Sequence, residues 1–235
     1  MDLKEMAARE AVKYVEDDMV VGLGSGTTAS IAIRLIGEKV KEGMRIVGIP
    51  TSKDSETLAN SVGIPIGELR ARPAVDITID GADEVDPSLN LIKGLGGALV
   101  REKIVAYSSN LEVIVTDDSK IVQRLGQKAP VPVEIVRFGH EATVDKLQKL
   151  GCTVQMRRKW DEFFTTDNGN YIADCRFSSI VDPKRLEAEI NIVPGVVDNG
   201  LFVGLADKVI VASKGGIEIL ESNSVLRART TSRVP

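Results

Sequence analysis

Short apolar runs alternate with longer helical patterns through the first half of the chain. Four runs have the length and composition of buried strands, at residues 20–23, 44–49, 75–79 and 113–116. Helical spacing separates them, at residues 28–42, 52–62 and 98–109. Continuous apolar strands joined by helical crossovers are typical of a parallel sheet that is covered on both faces. The pattern therefore predicts an α/β fold with a Rossmann-like, mostly parallel sheet.

The pattern changes near Gln127. A strand at 131–136 precedes a helix at 141–150, strands at 153–156, 163–166 and 171–177, and a helix beginning at Asp182. The turn 167–170, with sequence DNGN, predicts a hairpin between the last two of these strands. This order predicts a second, smaller α+β (ferredoxin-like) domain. A further apolar run at 208–212 predicts a return to the first sheet.

These boundaries divide the chain into three parts. Residues 1–126 plus 200–220 are expected to form the Rossmann-like catalytic domain, and 127–199 the small α+β domain. The segment 221–235 carries three arginines without apolar periodicity, so it is expected to be a mobile tail.

Composition removes several classes of function. The 235 residues carry a net charge of -4, so a basic surface for nucleic acid is not expected. No apolar run reaches the roughly 20 residues that span a bilayer, and the first residues predict an amphipathic helix rather than a signal peptide. Cys152 and Cys175 lack metal-type spacing, which favours the reducing cytoplasm. One histidine, His140, gives a catalytic triad or a multi-histidine metal site little to use.

The glycine loop 22–28, GLGSGTT, follows a predicted strand and precedes a predicted helix. Backbone N–H groups at a helix N-terminus, together with small hydroxyl side chains, form an anion site. Three alternatives stay open for this loop: a phosphate or other anion, a dinucleotide, or a structural turn. No acidic residue ends the second strand to hold a ribose, which disfavours the dinucleotide.

Charges of both signs follow neighbouring apolar segments between residues 75 and 120. Asp80 and Asp83 follow one predicted strand, and Lys93 follows the apolar pair 91–92 and precedes a glycine-rich loop. Glu102 begins a helix within an Arg-Glu-Lys run, and periodicity does not decide which of the three faces inward. Lys120 ends another strand. Ligands bind beyond the carboxyl ends of the strands in open α/β sheets, so this set suits proton transfer on a small anionic molecule.

A series of motifs in this order resembles the ribose-5-phosphate isomerase A family, over residues 4 to about 215. The motifs are Gly24-Ser25-Gly26-Thr27-Thr28, Thr51-Ser52, Asp80-Gly81-Ala82-Asp83-Glu84, Lys93-Gly94, Arg101-Glu102-Lys103, Asp118-Ser119-Lys120, Pro132-Val133-Glu134 and Pro194-Gly195-Val196-Val197. The resemblance implies interconversion of D-ribose 5-phosphate and D-ribulose 5-phosphate through an enediolate, in the pentose phosphate pathway. It also implies no metal or organic cofactor and a homodimer or homotetramer, while charge, hydropathy and cysteine spacing predict no nucleic-acid or membrane partner and a cytoplasmic location.

The resemblance also implies roles for individual residues. Glu102 would be the general base between C1 and C2. Asp80 would assist ring opening, Asp83 would bind the sugar, and Lys93 would hold hydroxyl oxygens and stabilise the developing negative charge. The implied substrate-binding set is Ser25, Gly26, Thr27, Thr28, Asp80, Gly81, Ala82, Asp83, Lys93, Gly94, Leu95, Gly96, Lys120 and Lys4. Leu95 departs from the small residues usual at its position, which is harmless if only its backbone contacts substrate.

Two rival functions use the same residues differently. A coenzyme A transferase of related fold would use a glutamate as nucleophile, but it would leave Lys93 beside Asp80 without an obvious role. A sugar-phosphate sensor domain would need the glycine loop 22–28 but not Glu102. For the isomerase, opposing effects act on the pKa of Glu102, because burial would raise it and Lys93 and the helix N-terminus would lower it.

Overall fold

The computed structural model describes residues 2–71 and 74–222. The helices are α1 (Leu3–Ala11), α2 (Gly26–Lys41), α3 (Lys53–Val62), α4 (Leu99–Tyr107), α5 (His140–Gln148) and α6 (Pro183–Asn191), with 3₁₀ turns at Val12–Tyr14 and Asp118–Lys120. The strands are β1 (Val20–Leu23), β2 (Val47–Pro50), β3 (Val75–Gly81), β4 (Glu84–Val85), β5 (Leu91–Ile92), β6 (Ser109–Asp117), β7 (Val131–Ile135), β8 (Cys152–Met156), β9 (Arg158–Lys159), β10 (Glu162–Phe163), β11 (Tyr171–Phe177), β12 (Val196–Asn199), β13 (Leu201–Phe202), β14 (Lys208–Ser213) and β15 (Gly216–Glu221).

The large sheet has six strands in the order β15-β14-β6-β3-β1-β2. Every neighbouring pair is parallel except the β14–β15 hairpin. All four residues of β1 are buried, which explains why it is a continuous apolar run rather than an alternating one. Helices α1, α2 and α3 cover one face, and α4 packs against the other through Val105 and Ala106. The Rossmann-like α/β prediction is confirmed.

The small sheet is antiparallel, with strand order β12-β7-β11-β8. Together with α5 and α6 it follows the strand-helix-strand-strand-helix-strand order of a ferredoxin-like unit. Its core also contains Ile92 and Leu201, from β5 and β13. These two short strands and β4 form a three-stranded antiparallel sheet that connects the two larger sheets.

The sequence pattern does not show which sheet each short strand joins. The pair Leu91–Ile92, which precedes Lys93, belongs to the connecting sheet and not to the large sheet. The predicted strand at 163–166 is absent: Glu162–Phe163 pairs with Arg158–Lys159, and only Thr165 bridges to Tyr171. The buried Glu134 explains this, because its Oε1 accepts hydrogen bonds from Thr166, Asn168 and Asn170 and draws the turn inward.

Strand β15 was also missed, and it includes Glu221, which the sequence prediction assigned to the tail. Gly216 has a φ of 122° and makes the turn from β14, but the strand lies at an edge and most of its residues are partly or fully exposed. The apolar pattern of β15 in the sequence is therefore weak. The predicted mobile segment, from residue 223 onward, lies outside the described residues. Within the described part of the chain, no helix has both the length and the apolar character needed to cross a membrane.

Candidate active site

A cleft lies at the carboxyl ends of β1, β3 and β6, where three loops of the large sheet meet the loop that follows β5. Its lining consists of Lys4, Ser25, Gly26, Thr27, Thr28, Gly81, Ala82, Asp83, Lys93, Gly94, Gly96, Glu102, Thr116, Asp117 and Lys120. Most of the implied substrate-binding residues are therefore together. Asp80 and Leu95 are the two members of that set that do not line the cleft.

The glycine loop 22–28 joins β1 to the first turn of α2. Gly24 lies so close to Asp80 that a β-carbon would overlap the carboxylate, and Gly26 has a φ of 87°. The Ser25 hydroxyl is 2.8 Å from the hydroxyls of both Thr51 and Ser52. Thr51 and Ser52 thus fix the loop on the side away from the cleft, and the N-terminus of α2 faces the cleft. Such an N-terminus attracts anions.

A lysine side chain lies beside the N-terminus of α2. Lys4, in α1, donates from Nζ to Thr27 Oγ1 at 3.0 Å. Lys120 lines the same cleft from the 3₁₀ turn that follows β6. Lys4 therefore places a positive charge beside the backbone N–H groups of the α2 N-terminus, a combination that suits binding of a phosphate.

Asp80 is fully buried behind the cleft. Its Oδ1 accepts the N–H groups of Ser25 at 3.0 Å and Gly81 at 2.7 Å. Its Oδ2 lies 3.1 Å from Nζ of Lys93. The carboxylate thereby fixes the end of β3, the glycine loop 22–28 and the lysine at once.

Lys93 is only 2% exposed and uses its ammonium on three protein oxygens. Besides Asp80, it contacts the carbonyl oxygen of Gly81 at 2.5 Å and Glu102 Oε1 at 3.4 Å. Burial alone would lower the pKa of Lys93, but the carboxylates of Asp80, Glu102 and Glu112 outweigh it and raise the pKa above its ordinary value. Lys93 therefore keeps its positive charge.

Glu102 lies in the first turn of α4 and faces the cleft, with its side chain 6% exposed. Lys93 is near Oε1, whereas Oε2 is buried without a hydrogen-bond partner among the described residues. Burial raises the pKa of Glu102 to about 8, against the pull of Lys93, and the charges of Asp80 and Asp83 add to the rise. Burial therefore has a larger effect on the pKa of Glu102 than Lys93 has, a question that the sequence alone leaves open.

The two charged neighbours of Glu102 point to the small domain instead. Arg101 donates to Asn168 Oδ1 at 2.9 Å and to the carbonyl oxygen of Asp167 at 3.2 Å. Lys103 binds Asp198 Oδ1 and the carbonyl oxygen of Asn199, both at 2.7 Å. Both cations have partners, so the Arg-Glu-Lys run turns only its glutamate into the cleft.

Asp83 and the 94–97 loop form the opposite wall. Asp83 Oδ2 accepts the N–H of Leu95 at 3.0 Å, and the Leu95 side chain is 42% exposed. Leu95 therefore acts through its backbone, and its bulk does not enter the cleft. Burial raises the pKa of Asp83, and the Leu95 N–H and the charges of Lys93, Lys120 and Arg157 oppose that rise.

Two lining residues, Thr116 and Asp117, were not predicted from the sequence. They end β6, immediately before the Asp118-Ser119-Lys120 motif, so the strand-end rule that selected Lys120 could have found them. No group of three or more His, Cys, Asp or Glu side chains within residues 2–71 and 74–222 is arranged to hold a metal ion.

Comparisons with known proteins relate this site to one family. Residues 47–216 match the family model of ribose 5-phosphate isomerase A, also named phosphoriboisomerase A. Ribose-5-phosphate isomerase A from Gloeobacter violaceus is 53% identical over 93% of this chain and 95% of the relative. The structure of ribose 5-phosphate isomerase A from Methanocaldococcus jannaschii superposes with a TM-score of 0.89 at 43% identity, covering 94% of this chain and 98% of that one. A D-ribose-5-phosphate isomerase in complex with phospho-erythronic acid gives a TM-score of 0.91 at 44% identity, covering 94% and 100%.

Proposed function

Since the chain belongs to the ribose 5-phosphate isomerase A family and is an aldose–ketose isomerase, we propose that Glu102 is the base that moves the proton between C1 and C2. The enzyme interconverts D-ribose 5-phosphate and D-ribulose 5-phosphate. From the open-chain aldose, the base takes the C2 proton, the electron pair forms the C1–C2 double bond, and the C1 carbonyl oxygen becomes the negatively charged oxygen of the enediolate. The O2 hydroxyl proton then passes to O1 and the first proton is returned to C1, which leaves a carbonyl at C2 and a hydroxyl at C1. No atom is gained or lost.

The observation that carries this assignment is the state of the Glu102 carboxylate. Its Oε2 is buried beside the cleft without a hydrogen-bond partner among the described residues, while Oε1 lies near Lys93. A pKa of about 8 makes it a stronger base than an exposed glutamate. A base whose pKa lies near neutral pH is suited both to accept and to return a proton.

Lys93 is proposed to stabilise the negative charge that develops on the substrate oxygen. Of its three contacts, only that to the Gly81 carbonyl oxygen is a hydrogen bond, and the longest is the ion pair with Glu102 at 3.4 Å, which a substrate oxygen would replace. This exchange is chemically useful, because Glu102 no longer needs the charge of Lys93 once it has accepted the proton. The ammonium can then neutralise the enediolate instead.

Asp80 and Asp83 are proposed to have different roles, one through Lys93 and the other in binding the sugar. Asp83 lines the cleft and is placed to bind sugar hydroxyl groups. Asp80 does not line it, so we assign its effect on ring opening and proton movement to Lys93, which it contacts directly. Direct contact between Asp80 and the sugar is not supported by its full burial.

The phosphate is proposed to bind at Ser25, Gly26, Thr27 and Thr28, with Lys4 and Lys120 supplying positive charge. The Lys4–Thr27 hydrogen bond and the exposed N-terminus of α2 support this end of the cleft. The relative that contains phospho-erythronic acid, a phosphorylated sugar acid, supports a sugar phosphate as ligand.

The experiment that tests the base is Glu102→Gln, assayed for conversion of ribose 5-phosphate to ribulose 5-phosphate. Glutamine keeps the shape but cannot accept the proton, so kcat should fall by about 10²-fold or more while KM stays within about tenfold. Glu38→Gln, remote from the cleft on α2, is the matched control and should behave as the wild type. A kcat within about threefold of the wild type for Glu102→Gln would exclude Glu102 as the base.

We also propose a homodimer or homotetramer that works in the cytoplasm. Large apolar side chains are exposed on the small domain, including Phe138 at 94%, Trp160 at 89% and Ile192 at 79%. These side chains are candidates for contacts between chains. Light scattering should give a mass of two or four chains, and a monomer at micromolar concentration would refute the assembly.

Two further features support the domain division and the compartment. The separate sheets support the division into 1–126 plus 200–220 and 127–199. The free thiols of Cys152 and Cys175 support a reducing compartment.

A further inference from the structure

Arg157 follows β8 in the small domain and binds a loop of the active site. Its side chain is 13% exposed, and one edge of the guanidinium binds the carboxylate of Asp174, with Nε to Oδ2 at 3.0 Å and Nη2 to Oδ1. Nη1 donates to the carbonyl oxygens of Gly94 at 2.9 Å and Leu95 at 2.8 Å. One side chain from the small domain thus holds two successive peptide groups of the 94–97 loop.

The planarity of the peptide bond transmits this contact to the cleft. The carbonyl of Gly94 shares a peptide group with the N–H of Leu95, and the two point in opposite directions. Arg157 binds the carbonyl end and Asp83 Oδ2 accepts the N–H end, at 3.0 Å. In the next peptide group Arg157 holds the carbonyl of Leu95, so the N–H of Gly96 points away from Arg157. Gly96 itself lines the cleft.

The loop needs an external support because its own sequence is flexible. Gly94 and Gly97 have φ values of 102° and 84°, in the region that glycine adopts without strain. Phe164 packs against Gly97 closely enough that a β-carbon there would overlap its ring, and the Phe164 N–H donates to the carbonyl oxygen of Arg157 at 2.9 Å. The small domain therefore restrains the loop at both ends.

We propose that Arg157, held by Asp174, is a positioning residue for the isomerisation: it fixes the Gly94–Leu95 and Leu95–Gly96 peptide groups, so that Asp83 and the N–H of Gly96 face the bound sugar. This inference rests on the proposed function, because it takes Asp83 as a sugar-binding residue. It extends that function by making the small domain part of substrate binding. A guanidinium is required, since the planar fork binds a carboxylate and two carbonyl oxygens at once, whereas the ammonium of a lysine is a point charge.

The test compares Arg157→Ala, Arg157→Lys and the neighbouring control Arg158→Ala in the ribose 5-phosphate assay. Arg158 is exposed and its Nη1 donates to the carbonyl oxygen of Asp161, away from the 94–97 loop. We expect Arg157→Ala to raise KM about tenfold with kcat within about threefold, because Glu102 and Lys93 do not contact Arg157. Arg157→Lys should give the same result, and Arg158→Ala should leave both constants unchanged.

A double-mutant cycle with Asp83→Asn separates positioning from general destabilisation. If Arg157 acts through Asp83 and its loop, adding Arg157→Ala to Asp83→Asn should raise KM by less than about twofold more. An unchanged KM in Arg157→Ala, a loss confined to kcat, or full additivity with Asp83→Asn would each overturn the inference. Should Arg157→Ala fail to fold, Arg157→Lys takes its place with the same criteria. Wild-type protein without isomerase activity would refute the proposed function instead.

Discussion

Replacing Asp80 by asparagine tests how the buried charges of the cleft are shared. Lys93 Nζ lies 3.1 Å from Asp80 Oδ2 and 3.4 Å from Glu102 Oε1, and none of the three side chains is more than 6% exposed. Asparagine has the size of aspartate, and its Oδ1 can still accept the Ser25 N–H. It presents an uncharged amide to Lys93. The substitution therefore removes one negative charge with little change in packing.

The magnitude follows from the distance between the charges. At 3.1 Å and an effective dielectric constant of about 20, the Lys93–Asp80 attraction is worth about 5 kcal/mol. Its loss leaves Glu102 as the nearest carboxylate to Lys93. Lys93 can then move closer to Glu102, and shortening their 3.4 Å contact to about 2.8 Å at the same dielectric constant strengthens that attraction by about 1 kcal/mol, which lowers the pKa of Glu102 by somewhat less than one unit. Removal of the like charge of Asp80 acts in the same direction.

The assay is the dependence of kcat/KM on pH, which reports the pKa of the base in the free enzyme. As the proposed base, Glu102 must lose its proton to act in the wild type, so kcat/KM should rise with pH through about 8. In Asp80→Asn the rise should occur at least about one unit lower, with a lower plateau because the carboxylate is a weaker base.

The matched control is Asp76→Asn. Asp76 also lies on β3 and accepts a backbone N–H, that of Val20 at 2.7 Å, but it does not line the cleft. Its pH profile should match the wild type. If the dependence of kcat/KM on pH is the same in Asp80→Asn as in the wild type, the charge of Asp80 does not affect the pKa of Glu102 and the reasoning is refuted. A shift to higher pH would mean that Lys93, and not Glu102, had changed its protonation.

Four further predictions concern the site and its reaction. Lys93→Ala should lower kcat by about 10²- to 10³-fold and raise KM less, measured by steady-state kinetics, and a loss confined to KM would contradict the electrostatic role. Activity should persist in excess chelator, and loss that an added divalent cation reverses would refute a metal-independent reaction. Leu95→Ala should keep kcat/KM within about threefold because Leu95 acts through its backbone. Gly97→Ala should instead lose most activity, because the new methyl group meets Phe164 at a φ of 84°.

Much of the fold could be predicted because the strands of the large sheet are buried on both faces. A parallel strand covered by helices is a continuous apolar run, and its carboxyl end meets the other carboxyl ends at one edge. Asp80, Ser25 and Lys120 follow such runs, and all three lie at that edge in or behind the cleft. The edge strand β15 lacked this burial, which is why its pattern was not recognised.

Other parts of the site depend on contacts that no local pattern records. Lys93 reaches the cleft from β5, a two-residue strand whose partners include residues 201–202. The orientation of Glu102 is settled by its neighbours, since Arg101 and Lys103 are bound by residues more than 60 positions away. Arg157 contacts Gly94 and Leu95 across a similar separation. Sequence spacing carries no information on such pairs.

The hydrogen bonds and charges around the three carboxylates support the proposal that Glu102, and not Asp80 or Asp83, is the base. Asp80 accepts two N–H groups at Oδ1, its Oδ2 lies 3.1 Å from Lys93 as an ion pair without a hydrogen bond, and the residue does not line the cleft. Asp83 accepts the N–H of Leu95, and three cations oppose the rise in its pKa that burial causes. Glu102 shares its nearest cation with Asp80, and its Oε2 has no protein hydrogen bond within the described residues. One buried lysine beside two carboxylates stabilises one negative charge well, and the proton remains with the carboxylate that has fewer donors. The division of roles therefore follows from a shortage of positive charge, and it would disappear if the cleft gained a second buried cation.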